Sequence, residues 1–378
     1  MFRKKNEDSE TVSKLGWFNK IIFFLNIVAA SSLIISYLAR YISPEKYWYF
    51  AFFGIGYPVL FCINLLFVMY WTIQLKKYLL LSLITILLGY NSFFSYYQFR
   101  SENIDSGAKG IKIMSYNCML FDLYNWSNNS NSRNKIFDML KNENPDILCL
   151  QEFYTSENPS SFNNLNDLTQ SLKLKNHNYY YTTTLRKVDH WGIITLSRFP
   201  IINTGIIKFE TKTNNACIFS DVVINSDTIR VYNLHLQSIQ FHKKDYAYVE
   251  EVIQNKNNDD WAKSKGILRR LKKGFIKRSV QAEMVADNIK SCRYKIILCG
   301  DFNDTPTSYA YQTVRGDLTD AFIEKGSGLE KTYQGNFPAF RIDNIFHSKE
   351  IETLSFIKIK NSITDHFPIT AKLKISSK

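Results

Sequence analysis

The sequence of 378 residues predicts an α/β domain preceded by three transmembrane helices. Two observations predict this fold class. The long uncharged apolar segments all lie in the first hundred residues. After Ile111, short apolar runs of strand length alternate with segments whose apolar residues recur at helical spacing. Alternation of this kind is typical of one large α/β domain with packed sheets.

Three apolar segments without a charged residue run from Ile21 to Leu38, from Tyr47 to Leu75 and from Tyr78 to Phe99. Each is long enough to cross a hydrocarbon core of about 30 Å as a helix. Tyrosine and tryptophan residues cluster near their ends, as expected at membrane interfaces. A cleaved signal peptide would not explain the first segment, because two more follow it. We therefore expect a multi-pass anchor whose helices begin at Ile21, Tyr47 and Tyr78.

Positive charges beside these segments predict the orientation of the anchor. The N-terminal tail carries five lysine and arginine residues, and the second short loop carries Lys76 and Lys77, whereas the first loop has Arg40 and Lys46. The positive-inside rule places the tail and the second loop in the cytoplasm. Because the number of spans is odd, we expect the rest of the chain outside the cytoplasm. The predicted organisation is a cytoplasmic tail (1–20), three transmembrane helices (21–99), a linker (100–110) and an α/β domain (111–378).

Polar residues repeatedly end the apolar strand candidates of the α/β domain. A single polar residue at a strand end is best explained as a cap or a turn. Six segments that end in this way within one domain are not explained as caps or turns. Burying a carboxylate is costly unless it is paired or binds a metal, so strands that end at one rim would form a common site. Asp304 precedes Thr305-Pro306 and is expected to be a turn residue. The other candidates are Asn117, Glu152, Asn233, His235, Asp301, Asn303, Asp343, Asp365 and His366.

The residue types in this set indicate phosphoester chemistry. Carboxylate and amide oxygens without thiolates suit hard cations such as Mg²⁺, Mn²⁺ or Ca²⁺. None of the six cysteines belongs to a CxxC pair, so a zinc or thioredoxin-like site is not expected. A histidine held by a carboxylate can take a proton from water, and a second donor can stabilise charge on a phosphoryl group. The pattern predicts metal-dependent hydrolysis of a phosphoester.

The motifs SYN, LQE, NLH, GDFND, RIDNIF and TDHFPI, in this order, resemble the endonuclease/exonuclease/phosphatase superfamily, which has the DNase I-like fold. A single GDFN would be a weak signal, but six motifs in the correct order between Ile111 and Ile375 are specific. The segment HWGIITLSRFPI also looks like the family's central strand pair. The resemblance implies a four-layered α/β sandwich and a divalent-metal-dependent hydrolase acting on phosphodiesters or phosphomonoesters.

The resemblance also implies roles for the metal-binding residues. Glu152 looks like the principal metal carboxylate, and Asn117 looks like its neighbouring amide. Asp365 resembles a further acidic position or a ligand of a second ion. The expected cofactor is Mg²⁺, with Mn²⁺ or Ca²⁺ as alternatives, and the number of ions, one or two, stays open.

The catalytic roles implied by the resemblance fall on the remaining motifs. His235 matches the position that contacts the scissile phosphate, and Asp301 resembles the residue that orients or activates the nucleophile. His366 resembles the general base, and Asp343 the carboxylate that orients it. Asn303 resembles the residue that holds the phosphate. The residues expected to bind substrate are Asn233 and Asn303.

Two substrate classes remain open. The net charge of +13 favours a polyanion such as nucleic acid. An anchor would keep the site near a bilayer, which favours a phospholipid or sphingomyelin-like headgroup. The segment from Lys263 to Arg278 has eight basic and no acidic residues, with apolar residues at near-helical spacing. It is expected to be an amphipathic helix that contacts an anionic surface, or one that packs on the domain with a solvated face.

The alternative function is a membrane-tethered protein that binds a phosphate ligand without turnover. Asp301, Asp343 and His366 argue against it, because binding alone needs neither a base nor a carboxylate that orients the base. A transporter is disfavoured because the three apolar segments carry no charged residue that could form an ion pathway.

Overall fold

The structure is a computed structural model in which a helical module, formed by residues 17–98, packs against an α/β sandwich, formed by residues 111–375. Most of the predicted tail and linker lies outside the described residues. The residues described are 15–101, 107, 109–158, 161–209, 213–239, 261–335, 340–360 and 363–375.

The described helices alternate with strands only in the sandwich. They are α1 Trp17–Leu38, α2 Pro44–Tyr47, α3 Phe50–Ile55, α4 Tyr57–Ile73, α5 Leu79–Leu88, α6 Tyr90–Phe94, α7 Ser132–Glu143, α8 Asn164–Leu172, α9 Trp261–Lys290, α10 Tyr309–Arg315 and α11 Ala321–Lys325. Two short 3₁₀ segments are Ala39–Tyr41 and Met119–Asp122.

Most of the described strands belong to the sandwich. They are β1 Tyr97–Gln98, β2 Ile111–Asn117, β3 Ile147–Ser156, β4 Asn176–Leu185, β5 Asp189–Ser197, β6 Ile201–Ile207, β7 Ala216–Ile224, β8 Asp227–His235, β9 Lys295–Asp301, β10 Thr319–Asp320, β11 Gly328–Leu329, β12 Asp343–His347, β13 Ile351–Lys358 and β14 Ile369–Ile375.

Two six-stranded sheets form the centre of the described sandwich, in the orders β10-β12-β9-β8-β7-β6 and β13-β14-β2-β3-β5-β4. Their inner faces share one apolar core, to which Ile113 and Cys149 contribute from one sheet and Val231 and Ile297 from the other. Strands buried on both faces read as continuous apolar runs, which explains β9. Each sheet therefore presents a second face that another layer must cover.

Helices cover the outer face of each sheet. Apolar residues of α7 and α8, such as Leu140 and Leu168, pack on Leu148 of β3. On the other sheet, Val285 of α9 and Val314 of α10 belong to one buried cluster with residues of β8 and β9. The result is four layers, helix–sheet–sheet–helix, as the sequence predicts.

The helical module differs from the predicted anchor. By length and composition, one helix among the described residues, Trp17–Tyr41, could cross a membrane, while Tyr57–Ile73 and Leu79–Leu88 are apolar but shorter. The predicted second helix is interrupted at Gly56, because α3 ends at Ile55 and Pro58 lies in the first turn of α4. The third is interrupted at Gly89. The expected anchor of three spanning helices is therefore not confirmed.

Polar side chains occupy the interior of this module. Trp71 Nε1 donates to Asn26 Oδ1 (2.9 Å), and the Ser82 hydroxyl donates to Asn64 Oδ1 (2.8 Å). Asn26 also donates to the Ser82 hydroxyl (2.5 Å), so α1, α4 and α5 share one buried network. The outer surface is apolar, with residues such as Leu66 exposed. Polar groups between helices and apolar groups outside are typical of membrane-embedded bundles.

Candidate active site

The sandwich brings polar strand ends from both sheets to one rim. In one sheet His235, Asp301 and Asp343 are direct neighbours in register on β8, β9 and β12. In the other sheet Asn117 ends β2, and Glu152 lies beside it on β3. The sheets face each other, so the two sets of side chains meet at one end of the central core.

Asp301 lies at the centre of this cluster. Its Oδ2 accepts hydrogen bonds from Asn117 Nδ2 (3.1 Å) and Asn303 Nδ2 (3.2 Å). The same oxygen lies 3.6 Å from His235 Nε2 and 3.7 Å from His366 Nε2. Asn117 Nδ2 also lies 3.2 Å from Glu152 Oε1 of its own sheet, so Asn117 connects Glu152 with Asp301 of the other sheet. Asp301 is fully buried, so these donors compensate for the loss of its hydration.

His366 and Asp343 form a buried pair. His366 Nδ1 lies 2.9 Å from Asp343 Oδ2, and Asp343 is fixed in turn by its backbone N–H, which donates to Thr332 Oγ1. Burial raises the pKa of Asp343 to about 6, with His366 opposing this effect and Asp301 adding to it. Burial would lower the pKa of His366, but the charges of Asp343 and Asp301 hold it well above its usual value. Both pKa shifts thus follow from the burial of the pair and from the charge of Asp301 beside it.

Unusual backbone angles place three of these residues. Glu152 and Asn303 have φ values of +47° and +51°, and Glu152 sits where the pairing of β3 with β5 shifts register. Gly300, which precedes Asp301, has a φ of +155°, and a Cβ there would lie 2.1 Å from the carbonyl oxygen of Leu234. Only glycine allows β9 to approach β8 this closely, so the GD step of the GDFND motif is a steric requirement.

The geometry of Asn233 does not support its predicted contact with substrate. Its side chain is fully buried and donates to the carbonyl oxygens of Leu150 and Ile194. Its Oδ1 accepts from Gln151 Nε2 (2.7 Å), so every polar atom is used between the two sheets. Asn233 therefore holds the two sheets together next to the site. The sequence could not distinguish this structural role from contact with substrate, because both place an Asn near a strand end.

Asp365 and Asp304 also differ from the main cluster. Within the described part of the chain, the group of three acidic or histidine side chains whose ligand atoms all lie within 4.8 Å of one another is Asp301, Asp343 and His366, without Asp365. The charge of Asp365 contributes to the raised pKa of His366. Asp304 accepts a hydrogen bond from Arg278 Nε (2.9 Å) in a buried ion pair. It also caps Thr305, in line with the expected turn.

A cleft beside Glu152 and His235 is the feature that the sequence did not predict. Its volume is about 420 Å³, and Tyr124, Trp126 and Trp191 supply aromatic walls. No lysine or arginine is among its described lining residues. The signal available in the sequence was the pair of aromatic residues in YNW. This motif follows a left-handed turn at Met119–Asp122, and both aromatic side chains are exposed.

The side chains fit a divalent cation. Glu152 Oε1 and Asp301 Oδ2 each lie within 3.2 Å of Asn117 Nδ2, and oxygen-rich sets suit hard cations. Among the buried side-chain atoms that make no hydrogen bond in the described structure are two of the rim, Asp343 Oδ1 and His235 Nε2. Buried atoms of this kind normally have a partner, so their common orientation toward the rim supports a bound ion or phosphate.

Comparisons with known proteins agree with this arrangement. Residues 114–366 match the endonuclease/exonuclease/phosphatase family, and residues 19–96 match a domain of unknown function (DUF8431). No curated protein matches the sequence.

Solved structures share the fold at low sequence identity. An endonuclease/exonuclease/phosphatase from Beutenbergia cavernae superposes with a TM-score of 0.51 at 16% identity, covering 71% of this chain and 72% of the other. A protein of the same description from Bacteroides vulgatus gives 0.50 at 15% identity, covering 71% of this chain and 100% of the other. The expected DNase I-like fold and hydrolase class are confirmed. The chain belongs to the endonuclease/exonuclease/phosphatase family.

Proposed function

We propose that this chain is a membrane-anchored, divalent-metal-dependent phosphoesterase whose catalytic domain is the sandwich. The observation that carries the proposal is the buried His366–Asp343 pair beside Asp301, with His235 and Glu152 facing the same rim. A histidine held by a carboxylate next to a second carboxylate is an arrangement that can activate water. A binding protein without turnover needs no such pair, so this alternative is less well supported.

The roles of the side chains follow from their contacts. Asp343 accepts from His366 Nδ1, which leaves Nε2 to take a proton from water. Asp301 lies 3.7 Å from that nitrogen and can orient the water. His235 and Asn303 supply donors for phosphate oxygens as charge develops. When bound, the cation would be held by Glu152, Asn117 and Asp301, would neutralise phosphate charge and would lower the pKa of His366.

The packing of the module supports a three-pass topology. At one end Tyr70 donates to Asn19 (2.6 Å), and Phe23 contacts Tyr78 beside the Lys76/Lys77 loop. At the opposite end Arg40 donates to Ser92, and this is the end against the sandwich. We therefore propose that α1, α4 and the α5–α6 pair cross in alternating directions. The boundaries at residues 21–99 and 111–378 and an extracytoplasmic sandwich stay part of this proposal.

The cleft favours a headgroup over a nucleic acid. A polynucleotide is normally bound through lysine and arginine side chains along its phosphates. The described cleft offers aromatic and aliphatic walls, with Asn214 and Asn215 as neutral polar groups. These walls suit an ester with one phosphate and an uncharged or apolar group, such as a phospholipid or sphingomyelin-like headgroup. The high net charge then needs a separate explanation.

The basic segment can supply that explanation. The segment from Lys263 to Arg278 is helical, as predicted, and forms the first half of α9. Lys272 Nζ lies 4.7 Å from the ring centre of Trp48, so the helix lies beside the aromatic end of the module. Arg278 is used by Asp304 and is not free for a polyanion. We propose that the exposed basic residues, such as Arg269, contact anionic headgroups.

The test is a substrate panel on the purified full chain in detergent. Sphingomyelin and a phospholipid in mixed micelles, single-stranded DNA, duplex DNA and RNA are each incubated with Mg²⁺, and released product is measured. We expect turnover of a headgroup phosphoester and little nucleic-acid cleavage. Faster cleavage of DNA or RNA would contradict the proposed headgroup substrate but would agree with the proposed phosphoester hydrolysis. Binding of inorganic phosphate without turnover of any substrate would support the tethered binding protein instead.

A further inference from the structure

The helical module makes direct contact with the loop that carries two of the candidate catalytic residues. This 301–307 loop begins with Asp301 and Asn303 and ends at Thr307, which is fully buried. The Thr307 hydroxyl donates to the carbonyl oxygen of Gly54 (2.8 Å) and lies 2.8 Å from the hydroxyl of Tyr96. Gly54 and Tyr96 both belong to the module. The helical module thus contacts the loop at a residue only six positions after Asp301 in the sequence.

The contact has little room for change. A Cβ at Gly54 would lie 3.1 Å from Ala39 Cβ and 3.2 Å from the Thr307 carbonyl oxygen, so a larger residue would push the loop away. Tyr96 is buried and stacks on Tyr57 with ring centres 5.3 Å apart. Since the Thr307 hydroxyl proton goes to Gly54, Thr307 must accept the proton of Tyr96. Both bonds therefore have a defined direction and fix the hydroxyl between two elements of the module.

A second route runs through α9. Phe52 of the module packs edge-on against Phe275 of α9, with ring centres 5.1 Å apart. One helical turn further on, Arg278 binds Asp304 of the loop and donates to the Gln237 carbonyl oxygen (2.9 Å), two residues after His235. The module thus supports the loop directly at Thr307 and indirectly at Asp304.

Hydrogen bonds in the middle of the loop connect Thr307 with the candidate catalytic residues. Asn303 Nδ2 donates to the Leu236 carbonyl oxygen (3.0 Å), and the backbone N–H of Asn303 donates to Asp301 Oδ1 (2.8 Å). Thr305 Oγ1 lies 3.3 Å from Thr307 Oγ1. Asn303 holds a left-handed backbone conformation, which persists only when the surroundings fix it. A shift at Thr307 would therefore move the residues that face the substrate.

We propose that the helical module is a positioning element for the 301–307 loop, so that full turnover requires the module as well as the sandwich. Thr307 and Tyr96 are the positioning residues. This inference rests on the proposed hydrolysis, because its readout is turnover. Its physical basis is that displacement of a catalytic group by about 1 Å can cost up to about a hundredfold in rate.

The test uses substitutions in the full chain, purified in detergent and assayed on a chromogenic phosphodiester with Mg²⁺. Thr307→Val keeps the shape of the side chain and removes the hydroxyl. We expect kcat to fall about tenfold with KM within about twofold of the original, because the loop loses its position while the cleft is unchanged. Thr307→Ser keeps the hydroxyl and should restore kcat.

A matched control separates positioning from stability. Thr353 is also fully buried, and its hydroxyl bonds His347 Nε2 (2.6 Å) at the end of β12 away from Asp343. Thr353→Val should lower the melting temperature with kcat unchanged. If Thr307→Val does not fold, Tyr96→Phe tests the positioning role instead, because it removes one hydrogen bond to Thr307 and keeps the ring. We expect this variant to have about a threefold lower kcat.

Three outcomes are separable. Unchanged kcat in folded Thr307→Val, or in Tyr96→Phe where the first does not fold, overturns the positioning role. Equal losses of kcat in Thr307→Val and Thr353→Val also overturn it, because general destabilisation would then explain both. No turnover by the original chain on any phosphoester contradicts the proposed function itself, which is a different failure.

Discussion

The helical module and the sandwich distribute polarity in opposite ways. The sandwich buries apolar side chains such as Val231 and Ile297 and gathers polar ones at one rim. The module buries Asn26 and Asn64 and exposes large apolar residues such as Leu66. A surface of this kind is unfavourable in water and expected in lipid. The two parts therefore differ in which side chains they bury, although they share a buried contact at Thr307.

The largest expected effect lies at the rim of the sandwich. His366→Ala should lower kcat about a thousandfold, because it removes the group that takes the proton from water. Phosphodiester turnover with Mg²⁺ measures it. His347→Ala is the matched control, since His347 is also fully buried but lies at the other end of β12. Activity retained in His366→Ala would contradict the assignment of this rim as the active site.

A smaller effect is expected at the partner of this histidine. Asp343→Asn should lower kcat about a hundredfold and leave the affinity for Mg²⁺ nearly unchanged, because an amide can occupy the same space but cannot stabilise the imidazolium. Mg²⁺ titration of turnover separates the two quantities. Asp221→Asn, which breaks a buried pair with Arg230, is the control for stability. A large loss of Mg²⁺ affinity would make Asp343 a metal ligand instead.

Glu330 is a buried carboxylate of the sandwich outside the rim. Burial raises its pKa to about 7, although Lys358 lies 3.8 Å away. A carboxyl whose pKa is raised on folding contributes stability that is present below its unfolded pKa and lost as pH rises through about 7. Glu330→Gln removes this titration.

The wild-type loss of stability between pH 5 and pH 8 should therefore be about 2 kcal/mol larger than the loss in Glu330→Gln. Denaturant titration at both pH values measures it. Exposed Glu352→Gln should show no such difference. An equal pH dependence in wild type and Glu330→Gln would mean that the Glu330 carboxylate is well solvated or fully paired.

The smallest effect is expected inside the module. Asn64→Leu should destabilise the module by about 1 kcal/mol, because its amide bonds Ser82 and the Ala29 carbonyl oxygen between helices. Thermal unfolding in detergent measures it, with exposed Asn91→Leu as the control. A gain of stability in Asn64→Leu would show that the polar interior contributes nothing and would weaken the contrast between the two regions.

Much of the sandwich could be predicted because its strands are apolar on both faces. The motif SYN lies at the end of β2, and β14 follows the motif TDHFPI, as expected for polar residues at strand ends. The edge strand β4 is hard to recognise from sequence, because NHNYYYTTTL has no apolar alternation and one side of the strand is open to solvent. In the module, hydropathy located the three segments, but Gly56 and Gly89 divide the helices in ways that hydropathy does not register.

The candidate site was predictable in its members and less so in its geometry. Ordered motifs identified His235, Asp301 and His366, because chemistry restricts the residue types. Distances and burial depend on packing between sheets that are far apart in sequence. For this reason the sequence did not reveal that Asn233 is buried between the sheets or that an aromatic cleft lies beside the rim. The contact of Thr307 with Gly54 joins residues 253 positions apart and left no signal in the sequence.

The central claim is that the rim of the sandwich hydrolyses a phosphoester with a divalent cation. The most direct test is phosphodiester turnover by the purified full chain in EDTA, followed by stepwise addition of Mg²⁺, Mn²⁺ or Ca²⁺. We expect no turnover in EDTA and recovery with at least one of these cations. Glu152→Gln should raise the cation concentration needed for half-maximal recovery. Full turnover in EDTA, after the protein has been stripped of metal, would contradict it.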